Sequence, residues 1–263
     1  MPFKNGDFLI VEHTAKVKET GEVFDTTSVE IAKKERLDKE GELYEPKLVV
    51  VGEGWVIKAL DESLQDLELN KLKTVEIPPD KAFGSRDPEK MKTVPLRRLR
   101  DKGLTPQIGM RIEYEKKQAT VRTVGAGRVT LDYNPPLAGK TLLYEVTVKK
   151  RLGRREDKMR ALIHRRIPII DVKNFGLELG KSVTTIHVPE EAFYLEGIQL
   201  SKRGIAADIH HFFPAMSCVE FIETIKNPKA KTRAAIKKEK PKASKREKPK
   251  ARKSRKRSKK RNA

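Results

Sequence analysis

Gly52-Glu-Gly-Trp-Val-Ile-Lys-Ala-Leu60 is the stretch that decides the fold. Two glycines precede a change of pattern at Val56. From there Leu60, Leu64 and Leu67 recur at i, i+4 and i+7, the spacing of one helical face. Immediately upstream, Leu48–Val51 is a short apolar run of strand character, and Phe8–Val17 is a longer one. Glu19-Thr-Gly-Glu22 supplies a turn after the first strand. Ser28–Pro46 is a charged excursion with room for a short helix, and downstream Lys73–Pro78 reads as a strand stopped by Pro78-Pro79. One helix among several strands predicts an α+β fold.

Residues 85–135 form a second unit. Two charged, proline-punctuated stretches are followed by alternation at Met110, Ile112 and Tyr114, and by strands over Thr120–Val124 and Val129–Tyr133 with Gly125-Ala-Gly127 as the hairpin turn. A small antiparallel sheet with one helix is expected. Leu137–Leu152 returns to a strand. Gly153–Arg155 marks a boundary, beyond which residues 153–226 read as a separate α+β domain. It has a helical start (Met159, Leu162, Ile163, Ile167), a strand over Ser182–Val188, a helix after Pro189 and a strand over Val219–Ile225. Its sequence carries no functional signature.

Charge is distributed unevenly. The 263 residues carry a net +21, but residues 227–263 hold nineteen Lys and Arg against two acids, Glu239 and Glu247. That segment therefore contributes +17 and leaves only +4 for the rest. With almost no large apolar residue it is expected to be a disordered basic tail. The single cysteine, Cys218, rules out an internal disulfide, suits a reducing compartment, and sits in an apolar stretch where burial is expected. The N-terminal residues lack a signal-peptide pattern, and no apolar run approaches the ~20 residues of a membrane span. A cytoplasmic protein without membrane association is expected.

Nucleotide-binding and metal motifs fail. Gly52-Glu-Gly54 has Ile57 where a dinucleotide fingerprint needs its third glycine, and Leu137-Ala-Gly-Lys-Thr141 lacks the upstream glycine of a phosphate loop. His210-His211 has no third ligand nearby, so no metal site is expected.

Four segments in order carry a family resemblance: Gly21-Glu-Val-Phe-Asp-Thr-Thr27, Gly52–Leu60, Pro78-Pro-Asp-Lys-Ala-Phe-Gly84 and Pro136-Leu-Ala-Gly-Lys-Thr-Leu-Leu-Tyr-Glu-Val146. The chain resembles the FK506-binding (FKBP) prolyl isomerases of the SlyD-like, archaeal long type over about residues 5–152. The resemblance implies an FKBP antiparallel sheet wrapped on one helix (residues 1–84 and 136–152), an insert-in-flap chaperone domain (85–135), a C-terminal domain (153–226) and the tail (227–263).

The implied chemistry needs no nucleophile, metal or cofactor. Resonance makes the X–Pro amide planar and opposes rotation by about 18–20 kcal/mol. The planar form is charge-separated and the twisted form is not, so an apolar pocket favours the twist relative to water. A donor that holds the carbonyl and a wall that grips the ring add orientation. The resemblance assigns catalytic positions to Asp25, Ile57 (through its backbone N–H), Phe83 and Tyr144, and substrate-binding positions to His13, Phe24, Val56 and Leu60. The bland reading makes Asp25 a turn residue and Phe24, Val56, Ile57 and Phe83 mere core. The chain departs from the family pattern at His13-Thr14-Ala15, where Tyr-Thr-Gly is usual. It departs again at Lys47, a usually apolar site, at Phe83, which lacks a hydroxyl, and at Asn134-Pro-Pro136, where a His is usual.

In such proteins the insert binds unfolded polypeptide. The candidate client-binding residues here are Met91, Val94, Leu96, Leu99, Leu104, Ile108 and Met110, some of which must form the insert's own core. The expected function is prolyl isomerisation that accelerates folding, joined to holdase activity on unfolded or nascent chains. The alternative is a catalytically weak FKBP scaffold that acts as a chaperone or as a ribosome- or nucleic-acid-associated protein. The C-terminal domain could support an oligomer. The tail admits three readings: RNA, DNA or ribosome binding through phosphate neutralisation, binding of acidic proteins, or a solvated extension.

Overall fold

The computed structural model describes residues 2–227. The basic tail beyond Asn227 lies outside the described residues.

Twelve strands and five helices follow one another along these residues. The first sheet is built on two long strands, β1 (Phe8–Val17) and β9 (Leu142–Leu152), paired antiparallel from Phe8 opposite Leu152 to Val17 opposite Leu142. β2 (Val23–Thr26) and β3 (Lys47–Val50) flank β1, and β4 (Leu72–Ile77) pairs with β9. Alternation sorts the side chains of β1. Leu9, Val11, Ala15 and Val17 enter one core, whereas Phe8 enters another. The first core is closed by α2 (Lys58–Leu64), which buries Leu60 and Leu64; Leu67 lies beyond the helix end and is buried as well. The charged excursion holds α1 (Val29–Lys34), whose Ser28 cap accepts from the Ile31 N–H.

Between β4 and β9 the insert forms its own four-stranded antiparallel sheet in the order β5 (Met91–Pro95), β8 (Arg128–Asp132), β7 (Lys117–Gly125), β6 (Arg111–Tyr114). Its hairpin turns at Ala126 and Gly127, both at positive φ (47° and 70°), as a two-residue type I′ loop requires. The short helix α3 (Leu96–Arg100) places Leu99 in a separate core with Ile112, Tyr114, Val121, Val129 and Leu131.

The C-terminal region contains α4 (Arg155–Arg166), β10 (Gly176–Leu179), β11 (Val183–Val188), α5 (Ile198–Phe212) and β12 (Cys218–Glu223). β11 and β12 are parallel, and α5 provides the crossover that a parallel pair needs. Three expectations are corrected here. The helix does not follow Pro189 directly: a single 3-10 turn intervenes, and α5 starts only after Gly197, whose φ of 73° redirects the chain. Cys218 is exposed, because alternation along β12 turns Val219 and Phe221 inward and leaves Cys218 outward. Nor is the region a separate body, since its core includes Phe8, Val50 and Leu152 from the first sheet. Phe8 stacks edge-on with Phe212 at 4.9 Å, which joins β1 to α5.

Candidate active site

β1 and β2 pair with Thr14 opposite Thr26 and Ala15 opposite Asp25. This brings the His13 and Asp25 side chains together: Nε2 and Oδ2 are 3.0 Å apart. Thr27 fixes the backbone beneath them. The His13 N–H donates to Thr27 Oγ1 at 3.0 Å, and the Thr27 N–H donates to the His13 carbonyl at 2.9 Å. The hydrogen bond from His13 holds the Asp25 carboxyl below its ordinary range; burial opposes this, and the charges of His13 and Lys47 add to it. Asp25 is therefore a carboxylate at neutral pH.

Tyr144 comes from β9, opposite Ala15 on β1 and Val75 on β4. Its ring lies 6.1 Å from Phe24, nearly perpendicular, and 6.0 Å from His13. Burial, reinforced by the Asp25 charge, pushes its phenol up to about 12, so it stays protonated. No hydrogen bond engages the Tyr144 hydroxyl among the described residues, and the oxygen is not sealed from solvent. Val56, Ile57 and Leu60 join the same core at the start of α2. The Ile57 N–H has no hydrogen-bond partner among the described residues either, as expected of a donor at a helix N-terminus.

Seven of the eight isomerase positions thus gather on one core. Phe83 stands apart: it is 42% exposed, beyond the single turn Pro79–Lys81, and lines a cavity of about 330 Å³ with Phe24, Leu137 and Arg111. His13, Val56 and Leu60 border a larger cavity of about 480 Å³, with Lys47 also on its wall.

Asp61 was not singled out by its sequence context. It is nearly buried, and its carboxylate accepts from the Gly52 N–H at 3.0 Å and the Gly54 N–H at 3.2 Å. It thereby folds the glycine turn back over α2 and fixes the approach to Val56 and Ile57. Gly52 itself has φ 86°, and a Cβ there would meet Asn5 at 3.1 Å. An acid in the first turn of a helix preceded by Gly-x-Gly was the only available signal. Asp61→Ala is expected to lower stability by about 2–3 kcal/mol, with Asp61→Asn recovering part because its amide oxygen still accepts. Equal urea midpoints for Asp61→Ala and wild type would show that the turn does not depend on it.

The client-binding candidates divide. Leu99 is fully buried and belongs to the insert's core, which corrects its assignment as a contact residue. Val94, Leu96 and Leu104 are partly buried against that core. Met91, Ile108 and Met110 are exposed, Ile108 at 70%.

Comparison with known proteins agrees with this architecture. A family model described as "FKBP26, IF domain" matches residues 92–137, and one described as "FKBP26_C-terminal" matches residues 155–226. A short-type peptidyl-prolyl cis-trans isomerase of Methanocaldococcus jannaschii is 35% identical over 146 residues, 56% of this chain and 92% of that protein. The chain belongs to the FKBP-type peptidyl-prolyl cis-trans isomerases. It is a SlyD-like isomerase with a C-terminal extension. Similarity to the SlyD isomerase of Treponema pallidum (28% over 169 residues, 63% of this chain and 87% of that protein) fits the same branch. The FKBP-type 16 kDa isomerase of Escherichia coli K12 is 27% identical over 108 residues, 39% of this chain and 72% of that protein. No helix of the isomerase, among the described residues, is long and apolar enough to cross a membrane.

Proposed function

We propose that the isomerase turns X–Pro bonds in the cleft bounded by His13, Phe24, Val56, Leu60 and Tyr144, and that the insert holds unfolded chain beside it. The observation that carries the reading is a pair of unengaged donors, the Tyr144 hydroxyl and the Ile57 N–H, on an otherwise apolar core. Either can hold the carbonyl of the substrate while the proline ring packs on Phe24 and Tyr144. Asp25, kept ionised and paired with His13, orients the imidazole on the same wall. Phe83 acts from the rim rather than the floor.

The holdase part rests on Met91, Ile108 and Met110, exposed apolar side chains that together suit varied clients. Arg111, next to Met110, lines the same cavity as Phe24 and Phe83, so the insert reaches the mouth of the cleft. Chain bound there would be presented to the cleft at raised local concentration. In the cell, unfolded or nascent polypeptides in the cytoplasm are the proposed clients, with sequence-independent RNA or ribosome contacts through the basic tail.

The test compares refolding of a proline-limited protein with turnover of a short X-Pro peptide by the full chain. Ile108→Ser/Met110→Ser is expected to lower the ratio of protein to peptide catalysis by at least about tenfold. An unchanged ratio would remove the insert from client capture.

A further inference from the structure

Consecutive residues at the end of the glycine turn enter different cores. Trp55 packs against the core shared with the C-terminal region, whereas Val56 and Ile57 pack against the isomerase core. The turn is gripped from both sides. Toward α2, the Gly52 and Gly54 N–H groups donate to Asp61. Toward the C-terminal region, the two intervening side chains, Glu53 and Trp55, are both engaged. Glu53 Oε2 lies 2.8 Å from His211 Nε2. The Trp55 ring meets Phe212 edge-on at 5.7 Å between centroids, and the Arg165 guanidinium covers it at 3.8 Å. His211 and Phe212 end α5, Arg165 lies in the last turn of α4, and Phe212 is itself backed by Phe8.

We propose that Trp55 is a positioning residue for the prolyl site: through it, α4 and α5 fix the Val56–Ile57 peptide whose N–H holds the substrate carbonyl. The proposal rests on the Ile57 donor described above. A peptide unit is planar and stiff and spaces successive Cα atoms by about 3.8 Å. One such unit joins Trp55 to Val56, and the next carries the Ile57 N–H, so a shift of the indole is passed on rather than absorbed. Without its grip on α4 and α5 the turn would keep the Asp61 bonds at its glycines but lose its anchor immediately before Val56. A misplacement of about 1 Å in a group that must meet the reacting amide costs up to about a hundredfold in rate. The C-terminal extension thereby serves catalysis without touching substrate.

The experiment uses the full chain and a short X-Pro peptide. Trp55→Leu, which stays apolar but offers no ring to Phe212 or Arg165, is expected to lower kcat/KM about tenfold. Trp55→Phe, which restores a ring, should recover most of that loss. Phe212→Leu and Arg165→Gln loosen the grip from the other side and guard against misfolding of the Trp55 variants; Asp208 keeps its two bonds from Arg166 when Arg165 is changed. Both should lower kcat/KM and shift the emission of Trp55, the only tryptophan of the chain. The decisive readout is the Ile57→Pro background, which has no donor to position. There Trp55→Leu should cost no further activity, whereas a general structural role would cost the same factor in both backgrounds.

A loss that persists in the Ile57→Pro background would overturn the positioning role. So would Trp55→Leu at wild-type activity while Ile57→Pro is crippled, or a shifted Trp55 emission in Phe212→Leu and Arg165→Gln with kcat/KM unchanged; in these cases the donor assignment stands. Ile57→Pro at wild-type activity would remove the donor assignment, and this inference with it.

Discussion

Replacing Asp132 by Ala is expected to lower stability by about 3 kcal/mol and to loosen the insert before the isomerase sheet. Asp132 ends β8 at the neck where the chain leaves the insert, and its side chain is 1% exposed. One carboxylate oxygen accepts from the Asn134 N–H at 2.9 Å and from Asn134 Nδ2 at 2.8 Å. The other meets the Arg122 guanidinium from β7 at 2.9 Å and that of Arg86, on the segment entering the insert, at 2.7 Å. Asn134 continues the tie: its Oδ1 accepts from the Asp87 N–H and its Nδ2 donates to the Asp87 carbonyl, both at 2.9 Å. The entering and leaving chains are therefore joined through one carboxylate and one amide.

Removing that carboxylate leaves an asparagine and two guanidinium groups without their partner. The arginines are about a third exposed, so water recovers part of the loss, which places the cost at the low end for a broken buried pair. Burial pushes the Asp132 carboxyl up, but hydrogen bonds from Asn134 and Arg122 outweigh it and hold it below its ordinary range. With the folded value lowered, this stabilisation is present above the ordinary carboxylate range and disappears as pH falls through the lowered value. Urea unfolding of wild type should show that loss in acid, and the variant should not. Amide exchange across residues 85–137 should quicken first. A change below about 0.5 kcal/mol with unaltered exchange would mean that the neck is held by its backbone alone.

The sequence made the isomerase frame legible because its signals are local. Leu60, Leu64 and Leu67 marked one buried face, although the helix ends at Leu64 and Leu67 is buried from the following turn. The insert's hairpin was readable from Gly125-Ala-Gly127. What escaped depends on pairing between distant residues. Asp132 and Asp61 look like ordinary surface acids until strand ends and glycine turns bring N–H groups to them. β10 is only four residues long and carried too little alternation to be noticed. Cys218 lay in an apolar stretch, but its place at the start of a strand, not the average character of its neighbours, decided its exposure. The shared core of Phe8, Val50 and Leu152 with α4 and α5 could not be read at all, since nothing in an apolar residue's own sequence says which of two cores it enters. Of the site, the family segments located the wall residues; the His13–Asp25 contact required the register of β1 on β2.

The largest effect on catalysis is expected at a backbone atom. Ile57 precedes α2 with φ −57° and ψ 140°, within the range that proline adopts, and its N–H makes no hydrogen bond among the described residues. Ile57→Pro therefore removes the proposed carbonyl donor while leaving φ where it was and breaking no existing bond. Ile57→Ala makes the complementary change, trimming the apolar side chain and retaining the N–H. If the N–H fixes the substrate carbonyl during rotation, Ile57→Pro should lose about a hundredfold in kcat/KM on a short X-Pro peptide, and Ile57→Ala should stay within about tenfold of wild type. Matching circular dichroism and urea midpoints for the two variants would attribute the difference to the donor. Equal activities would assign the role of Ile57 to its side chain and leave the Tyr144 hydroxyl as the donor that holds the carbonyl. In that case Tyr144→Phe, which keeps the ring against Phe24 and His13, should reproduce the hundredfold loss that Ile57→Pro failed to give.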